Sequence, residues 1–179
     1  MDLQLRGKRV LITGGSRGIG LATARGFAAE GCRLHLVARD PGRLAAAVEQ
    51  LRAETGADVQ GLALDMRESS SVGEIDRRLG EEIDILINNA GDMPHGELQE
   101  IDAQRWRQAW DLKVYATIDL SRALYARMRT RRSGVIINVI GISGGEMIVP
   151  SYIAGTAGVI SGGARNISGD VHRRRLTVR

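Results

Sequence analysis

The sequence predicts an α/β fold built on a doubly wound parallel sheet, and three observations lead to this expectation. Short β-rich runs of Val, Leu and Ile alternate with segments whose apolar residues recur at helical spacing. A glycine cluster follows the first of these runs. The chain contains 23 glycines and only 3% aromatic residues, so its core must be aliphatic, which suits a parallel sheet better than a β-sandwich.

The first half of the chain predicts three strands and two helices in alternation. Residues 8–13 ("KRVLIT") form a short apolar run, and the apolar spacing of residues 19–31 predicts the helix that follows. Residues 33–38 predict the second strand. Residues 41–56 open with a proline and end with a glycine, as helices often do. Residues 58–65 predict the third strand.

The second half continues the same order. Residues 69–80 form an amphipathic helical segment, and residues 83–91 predict the fourth strand with its exit loop. Residues 102–131 predict either one long helix or two abutting helices, and residues 134–141 predict the fifth strand. This alternation predicts βαβ units with right-handed crossovers and helices on both faces of the sheet.

The last segment is less regular than the rest. Residues 151–167 predict a helix that its glycines weaken, and residues 175–179 predict the beginning of a sixth strand. The length of 179 residues fits one domain, and we expect residues 1–179 to form a single unit because no repeat or long linker divides them.

The positive charge of the chain does not indicate nucleic-acid binding. The formal net charge of +4 comes partly from basic clusters at residues 129–132 and 172–175, which are typical of solvated helix ends and loops. A nucleic-acid site needs a continuous basic face, preferably with stacking aromatics. The two Trp, three Tyr and one Phe are scattered, so we expect no nucleic-acid partner.

Cysteine content and hydropathy bear on the setting of the protein. Cys32 is the single cysteine, which excludes a disulfide framework or a cysteine metal cluster within the chain. No apolar run approaches the roughly 20 residues that a membrane span needs, and the first residues lack the layout of a signal peptide. We therefore expect a soluble, cytoplasmic protein without membrane association or bound metal.

The stretch "TGGSRGIG" at residues 13–20 lies between the first strand and the first helix. Gly14, Gly18 and Gly20 follow the spacing G-x-x-x-G-x-G. A side chain here would block the tight turn, the approach of backbone N–H groups to a pyrophosphate, or close helix–strand packing. The helix N-terminus adds free N–H donors. The motif predicts a dinucleotide-binding loop, with a turn that binds no ligand as the alternative.

The end of the second strand indicates the type of dinucleotide. An acidic residue there would bind the adenosine ribose 2′-hydroxyl, but this strand ends in Ala38 and Arg39. Arg39 and Arg17 together supply two guanidinium groups that suit a 2′-phosphate. This pair favours NADP(H). Asp40 keeps NAD(H) open, because a shift of the turn by one residue would bring its carboxylate to the ribose.

These motifs resemble the classical type of the short-chain dehydrogenase/reductase family. "TGGSRGIG", "NNAG" at residues 88–91 and "GVIINVIG" at residues 134–141 match its motifs in order and spacing. The resemblance implies a Rossmann-type fold, and it implies that Asp65 contacts the adenine ring. The cofactor-binding residues that follow from the motifs are Gly14, Ser16, Arg17, Gly18, Ile19, Gly20, Arg39, Asp65, Met66, Asn89, Ala90 and Gly91.

The catalytic set of the family is Asn, Ser, Tyr and Lys, and this chain departs from it. The resemblance places Tyr152 at the tyrosine that exchanges a proton with the substrate oxygen. Lys113 stands at the asparagine position, Gly141 at the serine position and Thr156 at the lysine position. We hypothesise that Lys113 supplies the missing charge and Ser143 the missing hydroxyl; the alternative is a surface lysine and a loop serine.

The end of the chain bears on substrate and assembly. In the family, the sixth strand precedes a loop over the nicotinamide, substrate-binding helices and a last strand, which we expect this fold to lack. Helices 102–131 and 151–167 form a common interface in the family and predict a homodimer. Two functions remain open: an NADP(H)-dependent oxidoreductase acting on a small carbonyl or alcohol, and a catalytically inactive nucleotide-binding or interaction protein.

Overall fold

The computed structural model of the protein describes residues 3–92, 100–139 and 177–178. The strands are β1 (Arg9–Thr13), β2 (Arg33–Ala38), β3 (Val59–Ala63), β4 (Ile85–Asn88), β5 (Val135–Asn138) and β6 (Thr177–Val178). The helices are α1 (Gly18–Ala29), α2 (Pro41–Thr55), α3 (Ser69–Leu79), α4 (Ala103–Trp110) and α5 (Ala116–Arg131), with a π-helical turn at Asp111–Tyr115.

The strands form one sheet in the order β3-β2-β1-β4-β5-β6, and every neighbouring pair is parallel. The chain builds outward from β1 to β3, then crosses back to place β4 on the other side of β1. The strand order reverses at this point, which is where open α/β sheets form their ligand crevice, outside the carboxyl ends of the strands. The predicted doubly wound parallel sheet is therefore confirmed.

Two apolar layers cover the sheet, one on each face. Val10 and Ile12 of β1 pack in the layer that includes α1 and α2, whereas Leu11 packs in the layer that includes α3 and α5. Successive side chains of a strand point to opposite faces, so a strand covered on both sides reads as a continuous apolar run. This explains why β1 and β2 lack the alternating pattern of a half-exposed strand.

Helix α2 begins and ends where its local sequence predicts. The carboxylate of Asp40 accepts a hydrogen bond from the Arg43 N–H, and Pro41 occupies the first turn, where its missing N–H costs little. Gly56 follows the helix with a φ of 68°, in the left-handed region that glycine tolerates.

The predicted helix at residues 102–131 is one helical stretch interrupted by the π-helical turn. Asp102 caps α4 by accepting a hydrogen bond from the Arg105 N–H at 2.8 Å. Lys113 lies within the π-helical turn, and the hydroxyl of Thr117 donates to its carbonyl oxygen at 2.9 Å. Such turns are frequent at functional sites.

A buried polar link holds the exits of β4 and β5 together. The side-chain amide of Asn88 donates to Ser121 Oγ at 2.9 Å and to Asn138 Oδ1 at 2.8 Å. These bonds join β4 to α5 and to β5. On the far side of β5, the short strand β6 confirms part of the predicted sixth strand. The predicted helix at residues 151–167 lies outside the described residues.

Candidate functional site

An open cleft lies at the carboxyl ends of β1, β2, β3 and β4, at the point where the strand order reverses. Its lining includes most of the cofactor-binding residues that the sequence predicts. The predicted residues that line it are Gly14, Ser16, Arg17, Arg39, Asp65, Met66, Ala90 and Gly91. The sheet thus brings together at one edge residues that are far apart in the sequence.

The glycine loop leaves no room for side chains at two of its predicted positions. Gly14 has a φ of 68°, and a Cβ there would lie 2.9 Å from Asn89 Nδ2 and 3.0 Å from Ala90 Cα. A Cβ on Gly20 would overlap the Gly14 carbonyl oxygen and lie 2.6 Å from Asn89 Nδ2. The glycines therefore permit a contact between the loop, the start of α1 and the exit of β4.

Thr13 and Asn89 fasten that contact with hydrogen bonds. The Thr13 hydroxyl oxygen accepts from the N–H groups of Asn89 and Ala90, each at 3.0 Å. The Asn89 side-chain amide donates to the carbonyl oxygens of Thr13 and Gly14, at 3.0 and 3.2 Å. Asn89, predicted as a cofactor residue, thus braces the loop. We call Thr13, Gly14, Gly20 and Asn89 the floor of the cleft.

The first turn of α1 faces the loop without a side-chain cap of its own. Arg17 is the N-cap residue, in an extended conformation, and its side chain makes no capping hydrogen bond. Gly18 has a φ of 53°, and Ile19 exposes 65% of its surface at the following position. The N–H groups at such a helix start suit a phosphate group.

Exposed arginines line the cleft at the end of β2. Arg17 and Arg39 were expected here, and Arg43 of α2 joins them. Sequence reasoning missed Arg43 because it considered the end of the strand and not the first turn of the next helix, which faces the same cleft. We call Arg17, Arg39, Asp40 and Arg43 the rim of the cleft.

Asp40, the residue that would bind the ribose if the cofactor were NAD(H), contacts Arg43. Its carboxylate accepts the Arg43 N–H at 2.9 Å and lies 3.6 Å from the Arg43 guanidinium. The backbone N–H of Arg43, followed by the positive charges of Arg43 and Arg39, lowers the pKa of Asp40 despite some desolvation. The carboxylate is thus a charged helix cap that faces the cleft.

Asp65 and Met66 follow β3 and close the cleft beside the rim. The Asp65 carboxylate forms a two-pronged ion pair with the Arg67 guanidinium, with Arg67 Nε at 3.0 and 3.1 Å from its two oxygens. This hydrogen bonding lowers the pKa of Asp65. Met66 is 5% exposed and forms part of the apolar wall.

Lys113 points into the protein at the other end of the cleft. Its Nζ donates to the carbonyl oxygen of Val139, just after β5, at 2.5 Å. Its stem lies against Gly91, where an added Cβ would be 3.1 Å from Lys113 Cδ. Burial lowers the pKa of this ammonium group. Lys113 is thus a half-buried lysine whose ammonium group is bound to a backbone carbonyl oxygen, and its catalytic role stays a prediction.

The sequence matches the model of the short chain dehydrogenase family over residues 8–179. The chain belongs to this family. This agrees with the resemblance of its glycine loop and strand motifs.

Individual members of the short chain dehydrogenase family agree with this fold. The 3-oxoacyl-acyl-carrier-protein reductase FabG of Vibrio harveyi is 33% identical over 98% of this chain and 72% of its own length. A short-chain dehydrogenase from Sphingobium yanoikuyae, solved with NADPH, is 31% identical with a TM-score of 0.90, over 96% of this chain and 69% of that one. L-sorbose reductase from Gluconobacter frateurii, solved with NADPH and L-sorbose, is 32% identical with a TM-score of 0.87, over 98% and 68%.

The chain spans roughly half to three quarters of the length of the curated relatives that it matches. Tyr152 and Ser143, the other two predicted catalytic residues of this short chain dehydrogenase, lie outside the described residues, as do Gly141 and Thr156.

Two further observations concern only the part of the chain that the structure describes. None of its helices combines the length and apolar character that crossing a membrane would require. No group of three or more His, Cys, Asp or Glu side chains there is placed to hold a metal ion.

Proposed function

We propose that the protein is an NADP(H)-dependent oxidoreductase that reduces a small carbonyl compound or oxidises the corresponding alcohol. The observation that carries the proposal is the set of three guanidinium groups, those of Arg17, Arg39 and Arg43, around one cleft above a glycine loop. Guanidinium groups bind phosphate oxygens in a fork geometry. The relatives solved with NADPH support the same cofactor class.

The cleft fits a nicotinamide dinucleotide on steric grounds. Gly14 and Gly20 let the loop, the start of α1 and the exit of β4 pack closely beneath the cleft, and the uncapped start of α1 offers N–H groups to a pyrophosphate. Asp65 and Met66 lie where the family resemblance expects the adenine, and Ala90 and Gly91 continue the cleft toward Lys113. The bound dinucleotide would supply the hydride, and the protein would orient it.

NADP(H) is favoured over NAD(H) because the Asp40 carboxylate in the rim is already paired with Arg43. The Asp40 carboxylate accepts the Arg43 N–H on one oxygen, and its other oxygen lies 3.6 Å from the Arg43 guanidinium, so a ribose 2′-hydroxyl would have to share this acceptor with Arg43. Arg39 is 56% exposed and available to a ligand. A 2′-phosphate would therefore meet exposed guanidinium groups beside a carboxylate that is already paired with Arg43.

For the proton transfer we propose Tyr152 as the acid, with Lys113 supplying charge and Ser143 a hydroxyl. A free tyrosine has a pKa near 10, which is poorly matched to neutral pH. A cation about 4 Å away at an effective dielectric of about 20 would favour the phenolate by up to roughly 4 kcal/mol, or about three pKa units. Lys113 is a candidate because it faces inward beside Gly91 and the end of β5.

A second candidate function is nucleotide binding without turnover. Thr156 stands in place of the lysine of the family and Gly141 in place of its serine, while the residues of the cleft are retained. Such a protein would bind NADPH and act through partners. The predicted homodimer through residues 102–131 and 151–167 remains a prediction under both functions.

Titration of the 179-residue chain with NADPH and NADH, followed by cofactor fluorescence, tests the proposal. We expect tighter binding of NADPH, and we expect Arg39→Met to weaken it by about tenfold or more, since hydrogen bonds to charged groups are worth about 1.5–3 kcal/mol. NADH affinity should change little in that variant.

If the protein binds neither NADPH nor NADH, both candidate functions are contradicted. Binding of NADPH without oxidation across a panel of aldehydes and ketones would favour the second. The panel should include β-keto esters and keto sugars, because relatives of this chain act on an oxoacyl group and on sorbose.

A further inference from the structure

The carboxylate of Asp92 lies on the wall of the cleft, at the exit of β4, between two arginines. Its Oδ2 atom is 3.2 Å from a guanidinium nitrogen of Arg105 and 4.0 Å from one of Arg39. Arg105 belongs to the first turn of α4, and Arg39 follows the end of β2. One carboxylate thus connects α4 to the rim.

The two contacts of Asp92 are unequal. The distance to Arg105 is well within that of an ion pair, whereas the distance to Arg39 is at the outer limit of one. The Arg105 side chain is 36% exposed and that of Arg39 is 56% exposed. Arg105 is therefore the main partner of the carboxylate, and Arg39 retains most of its capacity to bind an anion.

We propose that Arg105 is a positioning residue for cofactor selectivity: by holding Asp92, it keeps Arg39 available to a 2′-phosphate. This inference rests on the NADP(H) preference proposed above. Without Arg105, the nearest cation that the described residues offer Asp92 is Arg39, and an ion pair between them would compete with the phosphate.

A second carboxylate of the cleft lining follows the same rule. Asp40 is held by Arg43, as Asp92 is held by Arg105. In each case an arginine other than Arg39 neutralises an anion that would otherwise face the phosphate. The rim arrangement therefore depends on α4, an element that does not belong to the glycine motif.

The substitution Arg105→Met tests this role in the intact chain. We expect the affinity for NADPH to fall by up to about fivefold, the range of a partly exposed ion pair, while the affinity for NADH is unchanged. The selectivity ratio, NADH Kd over NADPH Kd, falls accordingly. Arg78→Met removes the same charge from the last turn of α3 and should leave the ratio as in the wild type.

A double-mutant cycle with Asp92→Asn separates the indirect role from a direct one. In the Asp92→Asn background, Arg105→Met should no longer change the selectivity ratio, because no carboxylate remains to compete for Arg39. Arg105→Lys, which keeps the charge, should restore much of the ratio. It also provides a folded reference if Arg105→Met lowers the melting temperature.

An equal loss of selectivity in both backgrounds would mean that Arg105 acts through its own charge, and it would overturn the proposal. An unchanged ratio in Arg105→Met would do the same while leaving the NADP(H) preference intact. If the wild-type protein binds NADH as tightly as NADPH, the proposed preference fails first, and the role of Arg105 fails with it.

Discussion

The floor and the rim of the cleft differ in how their polar groups are satisfied. In the floor, Thr13 and Asn89 form hydrogen bonds of ordinary length with backbone atoms, and glycines allow the close packing around them. In the rim, charged side chains meet in half-exposed ion pairs that water and salt screen. We therefore expect substitutions in the floor to lower the stability of the protein, and substitutions in the rim to change cofactor affinity with little effect on stability.

Lys113 resembles the floor residues in being held by one defined hydrogen bond, although it is charged. It is one desolvated cation on a backbone carbonyl, whereas the rim spreads its charge over several arginines. No neighbouring lysine replaces it, because the only other lysine in the chain is Lys8. A function that depends on this one charge should be lost with it.

The largest effect is expected for Lys113→Met. If the protein reduces carbonyl compounds, kcat should fall at least about a hundredfold, the usual contribution of assisted proton transfer, with little change in NADPH affinity. Stopped-flow or steady-state measurement of NADPH oxidation gives kcat. Lys8→Met, which removes the other lysine at the opposite end of β1, serves as control and should keep full activity.

The pH profile of wild-type turnover gives a second readout for Lys113. Burial lowers the pKa of its ammonium group below the ordinary 10.5, so the charge is present at lower pH and is lost as the pH rises through the lowered value. Turnover should therefore decline on the alkaline side below pH 10.5. In Lys113→Arg, whose guanidinium stays charged, that decline should move to higher pH. An unaltered profile would count against the role of Lys113.

A smaller effect is expected for Gly20→Ala in the floor. The new methyl group would overlap the Gly14 carbonyl oxygen, and such overpacking costs about 1–3 kcal/mol of unfolding free energy. Denaturant unfolding measures this, and NADPH titration should show weaker binding. Gly26→Ala on the same helix is the matched control, since its Cβ would meet no heavy atom within 4 Å. That variant should be neutral or gain up to about 1 kcal/mol.

The smallest effect is expected for Asp40→Asn in the rim. Asn keeps the helix cap but removes the negative charge beside the arginines, so NADPH affinity should rise by up to about fivefold. NADH affinity should remain the same. A marked loss of NADH affinity instead would mean that Asp40 binds the ribose, and it would support the NAD(H) alternative. Titration of both cofactors distinguishes the two results.

Local sequence predicted the parts of the fold that depend on near neighbours. The β-rich runs became strands, Pro41 and Gly56 mark the ends of α2, and the glycine loop adopts the required turn. The sequence left the nature of residues 102–131 undecided, because a π-helical turn and an ordinary helical junction look alike in the apolar pattern.

The sequence by itself determined where a glycine is unavoidable and which strand end carries arginine instead of an acid, because those requirements are local. The tertiary structure decided which groups meet. Thr13 and Asn89 are 76 positions apart, and Lys113 and Val139 are 26 apart, so spacing carried no information about either bond. The inward direction of Lys113 and the pairing of Asp92 with Arg105 arise where parallel strands and their helices end at one edge of the sheet.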